Sequence, residues 1–424
     1  MLDPRSLEER RDEIAESIRK RRVRGDVDAA IAAQAGVAAL QTELNEANRL
    51  RNEHQKAGKQ KLDDAARESH NSEGRRLKDA VAEIEAKLGD ARRTLDAVAS
   101  ELPNYLHPAV PEGGEEDFAL LSTWGEPTKF DFEPLDHLQI GEKLGLFDFE
   151  SGAKVAGTKF YYLKNDAVLL DLALQRFALD RAMDAGFEPI ITPDLARPAM
   201  LEGTGFNPRG EETQVYSIDG HDLCLIGTAE VTLGGLQADR LIEEEELPIK
   251  HAGLSHCFRT EAGAAGRESK GLYRVHQFTK VEMFATCRPE ESDALHEEMR
   301  EVEERIFRDL EIPYRVIDVA SADLGAPAYR KFDIEAWMPG RGEGGDYGEV
   351  TSTSNCTDYQ ARRLKTRFKR KDAKNEFVHT LNGTAIAVSR SMIPLLENHQ
   401  QADGTVRVPE ALRSYLGLDV LKPR

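Results

Sequence analysis

Cysteine is scarce: the 424 residues hold four, Cys224, Cys257, Cys287 and Cys356. They stand far apart, with no Cys-x-x-Cys pair and no histidine at zinc-ligand spacing, so neither a disulfide framework nor a structural zinc is expected. Reduced thiols suit a cytoplasmic protein. Long apolar runs are missing too. No stretch of about 18 apolar residues occurs, and the opening "MLDPRSLEERRDEIAESIRKRR" has no apolar segment, so neither secretion nor membrane spanning is expected. Positive charge is in deficit: 57 Lys and Arg face 76 Asp and Glu, a formal net charge of -19. A chain of that sign is not a general DNA binder, because phosphate partners need concentrated Lys and Arg; any nucleic-acid contact has to come from a local patch. GxxxxGK[ST] is not found, which sets aside one class of ATP site. No internal repeat is visible.

What is present is ordinary globular material, 40% hydrophobic and 31% charged, with length for two or three domains. From Ser72 onward Leu77, Val81, Ile84, Leu88, Ala91, Leu95, Val98 and Leu102 recur at alternating steps of four and three, the seam of a coiled coil. An earlier run, Val37, Leu40, Leu44 and Ala47, supplies a second seam, so two long helices are expected to pair antiparallel. The polar stretch "KAGKQKLDDAARESHNSEG", with Gly58 and Gly74, reads as the turn between them. Around it Arg49, Arg51, Lys56, Lys59, Lys61, Arg67, Arg75, Arg76 and Lys78 outnumber the acids, against the sign of the whole chain. Two readings stay open for that tip: a solvated helical surface, or an arm that tracks phosphates.

"PNYLHPAVPEGGEED" is rich in Pro, Gly and acid and marks a boundary, with residues 1–108 as the helical arm and 109–424 as the body. In the body, short β-like runs ("KFYYL", "DLCLIGTAEV", "RVHQFTKVEMF", "KFDIEAWMP", "GTAIAVS") mix with helical ones ("AVLLDLALQRFALDRAMDAG", "ESDALHEEMREVEERIFRDL") without a regular βαβ period. That pattern predicts an α+β domain with a mostly antiparallel sheet.

One stretch carries chemistry. In "FRTEAGAAGRESKGLYRVHQFTKVEMF", Arg274, His276, Phe278, Lys280 and Glu282 would share one strand face, as would Arg259 and Glu261. An arginine, an aromatic ring and carboxylates make a poor core but a good floor for a charged planar ligand such as ATP. The loop between the two strands is long enough to fold over something bound.

The order F-R-x-E, loop, R-x-x-x-F-x-x-x-E resembles motif 2 of the class II aminoacyl-tRNA synthetases, most closely the seryl-tRNA synthetases. "DAGFEPIITPDL" resembles motif 1, with Pro193 as its proline, and "LNGTAIAVSRSMIPLLENHQ" resembles motif 3, with Arg390 as its arginine. "GTAEVTL" and "GEVTSTSNCTDYQARR" match the seryl-specific pattern, so with the arm the resemblance spans nearly the whole chain.

The resemblance implies a class II catalytic domain that makes seryl-adenylate from L-serine and ATP, then seryl-tRNA. Arg259 would hold the α-phosphate, Glu261 the adenine amino group, and Val275 would offer its backbone. Phe278 and Arg390 would sandwich the adenine. Thr260, Val350 and Thr351 would complete the nucleotide site, while Glu349 and Ser352 would contact Mg2+ and the phosphates. Serine would meet Thr228, Ala229, Glu230, Glu282, Asn382 and Thr384, the jobs of the two glutamates undivided. His276 reads as structural. Gly227, Thr351, Thr384 and Ser389 depart from the usual residues, which bears on selectivity and not on the reaction. The resemblance also implies a homodimer, built by motif 1, and an arm over residues 27–102 that grips serine tRNA and selenocysteine tRNA by shape. Two rivals are a synthetase-like ligase loading an amino acid onto a carrier protein, whose relatives lack the arm, and a non-catalytic coiled-coil scaffold.

Overall fold

A computed structural model describes residues 1–58, 63–206, 214–262, 270–371 and 373–423. The chain divides into two compact units, Met1–Tyr105 and Leu106–Arg424.

The first unit holds α1 (Arg11–Arg21), α2 (Val27–Ala57) and α3 (Asp64–Ser100). Aspartates start both long helices. Asp26 accepts the Ala29 N–H at 2.9 Å and Asp63 the Ala66 N–H at 2.8 Å, each satisfying a first-turn donor that the helix leaves unpaired. On α3, Val81, Ile84, Leu88 and Leu95 of the predicted seam are buried, and next to the expected Val98, which is half-buried, Ala99 is buried instead. Arg92 donates to Gln41 at 2.9 Å and the His54 ring stacks on His70 with centroids 3.8 Å apart. Higher numbers on one helix thus meet lower numbers on the other, the antiparallel arrangement. The predicted turn is too long, however. α2 continues to Ala57 and α3 is under way at Asp64, so Gly74 lies inside a helix. Ala65, Ala66, Arg67 and Glu68 are good helix formers behind an aspartate cap, and polarity alone does not interrupt a helix. Of the basic residues at the tip, Lys59 and Lys61 lie outside the described residues. Arg49 pairs with Glu46 and Glu53, and Arg76 with Glu73, in exposed pairs one turn apart.

The second unit is built on an eight-stranded sheet. Its strands are β1 (Ala119–Trp124), β2 (Glu188–Ile191), β3 (Ile249–Phe258), β4 (Gln277–Cys287), β5 (Tyr314–Asp318), β6 (Arg330–Met338), β7 (Asp346–Asn355) and β8 (His379–Ala387). They lie side by side in the order β1-β5-β6-β7-β8-β4-β3-β2. Each neighbouring pair is antiparallel except β2 with β3 at one edge. Helices α4 (Asp166–Asp184), α6 (Ser292–Asp309) and α7 (Val388–His399) share one core with the sheet; α5 (Glu230–Leu236) is a short helix that follows "GTA".

Strand β4 shows why the sheet can carry both a core and a site. Val281, Met283 and Ala285 join the core with Leu174, Phe177, Met299 and Leu396. The alternate residues Phe278, Lys280 and Glu282 line a cavity on the other face. Register then brings β8 alongside, with Thr384 opposite Glu282, and the ladder slips by one residue between Thr384 and Ile386.

Several predicted strands are shorter than their β-like runs. "KFYYL" contributes only Tyr162–Leu163, and "DLCLIGTAEV" only Cys224–Leu225 before the chain turns into α5. β4 begins at Gln277, so Arg274 and His276 precede the strand they were expected to share with Phe278. β3 ends at Phe258, which leaves Arg259 and Glu261 beyond it, Glu261 at a left-handed φ of 53°. No helix among the described residues is long and apolar enough to cross a membrane.

Candidate active site

A cavity of about 150 Å³ opens on the polar face of β4, β7 and β8. One end is organised by two arginines from different parts of the chain. Arg259, just past β3, donates through Nε to the Gly227 carbonyl at 3.3 Å, and its Cζ lies 5.3 Å from the centre of the Phe278 ring. Arg390, on the first turn of α7, donates to the Tyr273 carbonyl at 3.2 Å and pairs with Glu349 at 3.0 Å. Desolvation opposes ionisation of Glu349, but the charge of Arg390, with Lys331 and Arg259 behind it, wins and holds the carboxyl down to about 2. Glu261 and Arg274 form a salt bridge of 2.7 Å on the same wall.

The other end is acidic and buried. Glu230 accepts from Gln360 at 2.6 Å and from Asn382 at 2.9 Å, both neutral amides. Burial, and then repulsion from Glu282, push Glu230 up to about 7 against those bonds. Thr228 accepts the Glu230 N–H at 3.2 Å. Glu282 pairs with Lys280 at 2.6 Å and accepts from the Thr384 hydroxyl at 3.0 Å. A site with a cationic end, an aromatic floor and an acidic buried end is shaped for a phosphorylated planar ligand beside a small ammonium compound.

Comparison with known proteins agrees. Residues 214–399 match the tRNA synthetase class II core domain (G, H, P, S and T), and residues 1–106 match the seryl-tRNA synthetase N-terminal domain. A serine--tRNA ligase of Rhodopirellula baltica is 56% identical, with all of both chains aligned, and one of Treponema denticola is 53% identical over 99% of each. The chain belongs to the seryl-tRNA synthetase family. Among solved structures, the seryl-tRNA synthetase of Pyrococcus horikoshii complexed with ATP superposes with a TM-score of 0.91 at 38% identity, covering all of both chains. The cytoplasmic serine-tRNA ligase of Naegleria fowleri in complex with AMP gives 0.87 at 33% identity, over 100% of this chain and 99% of that one.

With the family in hand, the expected residues can be placed. Thr228, Glu230, Arg259, Glu261, Val275, Phe278, Glu282, Glu349, Val350, Thr351, Ser352, Asn382, Thr384 and Arg390 all line the cavity. Thr260 and Ala229 do not. The Thr260 N–H bonds the Gln214 carbonyl and its hydroxyl accepts from Ala262, because it alternates with Arg259 and Glu261. Ala229 is packed with Leu233 and Phe284 behind the site. The loop expected to fold over a ligand lies outside the described residues for positions 263–269. His276 is kept off the site by a hydrogen bond with the Tyr216 hydroxyl and a stack on Phe160, in keeping with a structural residue.

Sequence reasoning gave no role to several residues that this synthetase brings in. Lys280 was on the right strand face, and that periodicity could have flagged it. Gln360 sat within the seryl-specific stretch, but nothing there says that its amide reaches Glu230. Glu303 on α6 is fully buried and accepts from the cavity residue Thr351 at 3.0 Å; among the described residues its Oε1 has no partner. Burial chiefly, with Glu282 and Asp333 adding to it, raises Glu303 well above the usual carboxylate range. A buried glutamate on a helix that otherwise carries charge to solvent leaves no trace in the sequence pattern.

Proposed function

We propose that the chain is a serine--tRNA ligase: it activates L-serine with ATP to seryl-adenylate and transfers serine to the 3′ end of serine tRNA and selenocysteine tRNA. The observation that carries this reading is the polarity of one cavity, guanidinium groups at one end and buried carboxylates at the other. ATP lies at the cationic end. Adenine rests on Phe278 beneath Arg390, Glu261 and the Val275 backbone meet its edge, and Arg259 takes the α-phosphate, where its fork matches two oxygens. Mg2+ would sit with the phosphates against Glu349 and Ser352, hard oxygen donors of the kind it prefers, with Glu349 already ionised. When bound, the ion offsets phosphate charge.

The serine carboxylate needs no general base. Its oxygen attacks the α-phosphorus, the bond to the bridging oxygen breaks, and pyrophosphate leaves. The chain's part is alignment and charge neutralisation. The different partners of the two glutamates support a division of their jobs. Glu282 already has a cation in Lys280, whereas Glu230 is held by neutral amides and is short of one. Glu230, with Thr228, therefore takes the ammonium, and Glu282 with Thr384 takes the hydroxyl. Alanine would leave that acceptor buried and unpaired, a basis for rejection by about 10⁴-fold. In the second step a ribose hydroxyl of the tRNA attacks the acyl carbon and AMP leaves.

Residues 1–108 serve as the tRNA-binding arm and 109–424 as the catalytic domain of a cytoplasmic homodimer. Support for the dimer comes from an apolar surface near one sheet edge: Ile191 on β2 is 82% exposed, and Val168, Leu169 and Leu172 on α4 are exposed as well. A seryl-type N-terminal unit speaks against the carrier-protein ligase.

Pyrophosphate exchange with each amino acid tests the reading. Serine-dependent exchange and charging of serine tRNA are expected; silence with every amino acid would end it.

A further inference from the structure

Among the described residues Lys280 is the one cation of the acidic end, and the mechanism above uses it only as a neighbour. Its side chain is 6% exposed and its Nζ lies 2.6 Å from Glu282 Oε2. The Thr384 hydroxyl bonds the same oxygen. Among the described residues no hydrogen bond reaches Glu282 Oε1, and both Lys280 and Glu282 line the cavity. The groups around the pair are Glu230 on α5, Glu303 on α6 and the buried Cys257 thiol on β3, each within electrostatic reach of Lys280 and Glu282. Arg259 acts on Glu230 and Cys257 from across the cavity. A buried ion pair is a weak source of stability, since desolvation consumes most of the attraction. Its value here is what it does to Glu282.

We infer that Lys280 is a positioning residue for serine selection: it holds Glu282 through Oε2, so that Oε1 remains an acceptor for the serine hydroxyl. The inference rests on the serine reading of the site. Without the ammonium, Oε2 keeps the Thr384 hydroxyl as its one partner among the described residues, and the carboxylate is no longer held with Oε1 free for the serine hydroxyl. A carboxylate that turns Oε1 elsewhere also penalises alanine less, because fewer acceptors are left unpaired.

The test is Lys280→Met in the full-length chain, followed by pyrophosphate exchange with serine and with alanine. Serine KM is expected to rise at least about tenfold near neutrality while ATP KM stays within about twofold. The preference for serine over alanine should drop at least about tenfold. Added to Glu282→Gln, the same substitution should change serine KM by less than about threefold, since its effect runs through that carboxylate. An ATP KM that rises in step, an unchanged preference for serine over alanine, or full additivity would overturn the inference. Melting curves check that the variant folds, and Lys280→Gln, which keeps a hydrogen-bond donor, gives the same readouts if it does not. Absence of serine-dependent exchange in the wild-type chain would overturn the site reading with it; an additive variant with unchanged serine preference in an active enzyme overturns this inference alone.

Discussion

Arg390 lies across the ring of Tyr273, its Cζ 4.9 Å from the ring centre, and its Nε bonds the carbonyl of the same residue at 3.2 Å. Arg341 approaches that ring at the same distance. Tyr273 directly follows Gly271 and Leu272 at the return of the motif 2 loop, so the loop's end helps set the angle of the motif 3 arginine. Tyr273→Leu removes the ring, and a cation–π contact of about 1 to 2 kcal/mol is lost. ATP KM in pyrophosphate exchange should rise roughly tenfold with serine KM little changed. Equal effects on both substrates would refute the link.

Arg259 lies over the Phe278 ring, and the proposed function gives it the α-phosphate. Arg259→Ala should slow adenylate formation at least about 100-fold, the usual effect of removing a group that meets transition-state charge. Single-turnover formation of seryl-adenylate measures this, and near-normal rates would remove the assignment.

Glu230 makes stability and function pull apart with pH. Its folded-state value, pushed up to about 7 by burial and by Glu282, exceeds the ordinary 4.5. The folded chain therefore holds a proton that the unfolded chain releases between those values. Stability tied to this group is whole below about pH 4.5 and is lost as pH rises through about 7, a cost of about 3 kcal/mol when complete. Glu230→Gln should melt higher than the wild type at pH 8 and about the same near pH 5. Serine binding runs the other way, because the ammonium wants the ionised form. Wild-type serine KM should fall between about pH 6 and about pH 8, and the Gln variant should bind serine poorly throughout.

Gly271 sits at φ 56°, and a Cβ there would lie 2.2 Å from His137 Nε2. The His137 ring is fixed by Glu397 at 3.0 Å and by the Leu272 N–H at 3.3 Å, so it cannot yield. Gly271→Ala combines backbone strain with a clash and should cost at least about 2 kcal/mol in denaturant unfolding. A neutral result would mean that the turn relaxes freely.

Removing residues 27–102 should leave serine-dependent exchange in place and abolish tRNA charging. Charging that survived the deletion would disprove the arm's role.

Much of this molecule was legible in its sequence because the decisive signals are periodic or local. Steps of four and three from Leu77 to Leu102 marked a helical seam, and steps of two from Phe278 to Glu282 marked a strand with one polar face. Motif spacing placed Arg259, Glu261 and Arg390 in one site, since a strand end and a helix start are short-range features. What only the tertiary structure decided depends on long-range approach. Whether Glu230 keeps its proton follows from Gln360, Asn382 and Glu282 arriving from three other elements. That Lys280 spends its charge on Glu282 follows from strand pleat and depth of burial together. The extent of the arm's helices was also settled there, because Asp63 acts as a cap only where the chain turns. Local pattern says which faces a segment offers; desolvation and charge, which act through space, say what those faces can do.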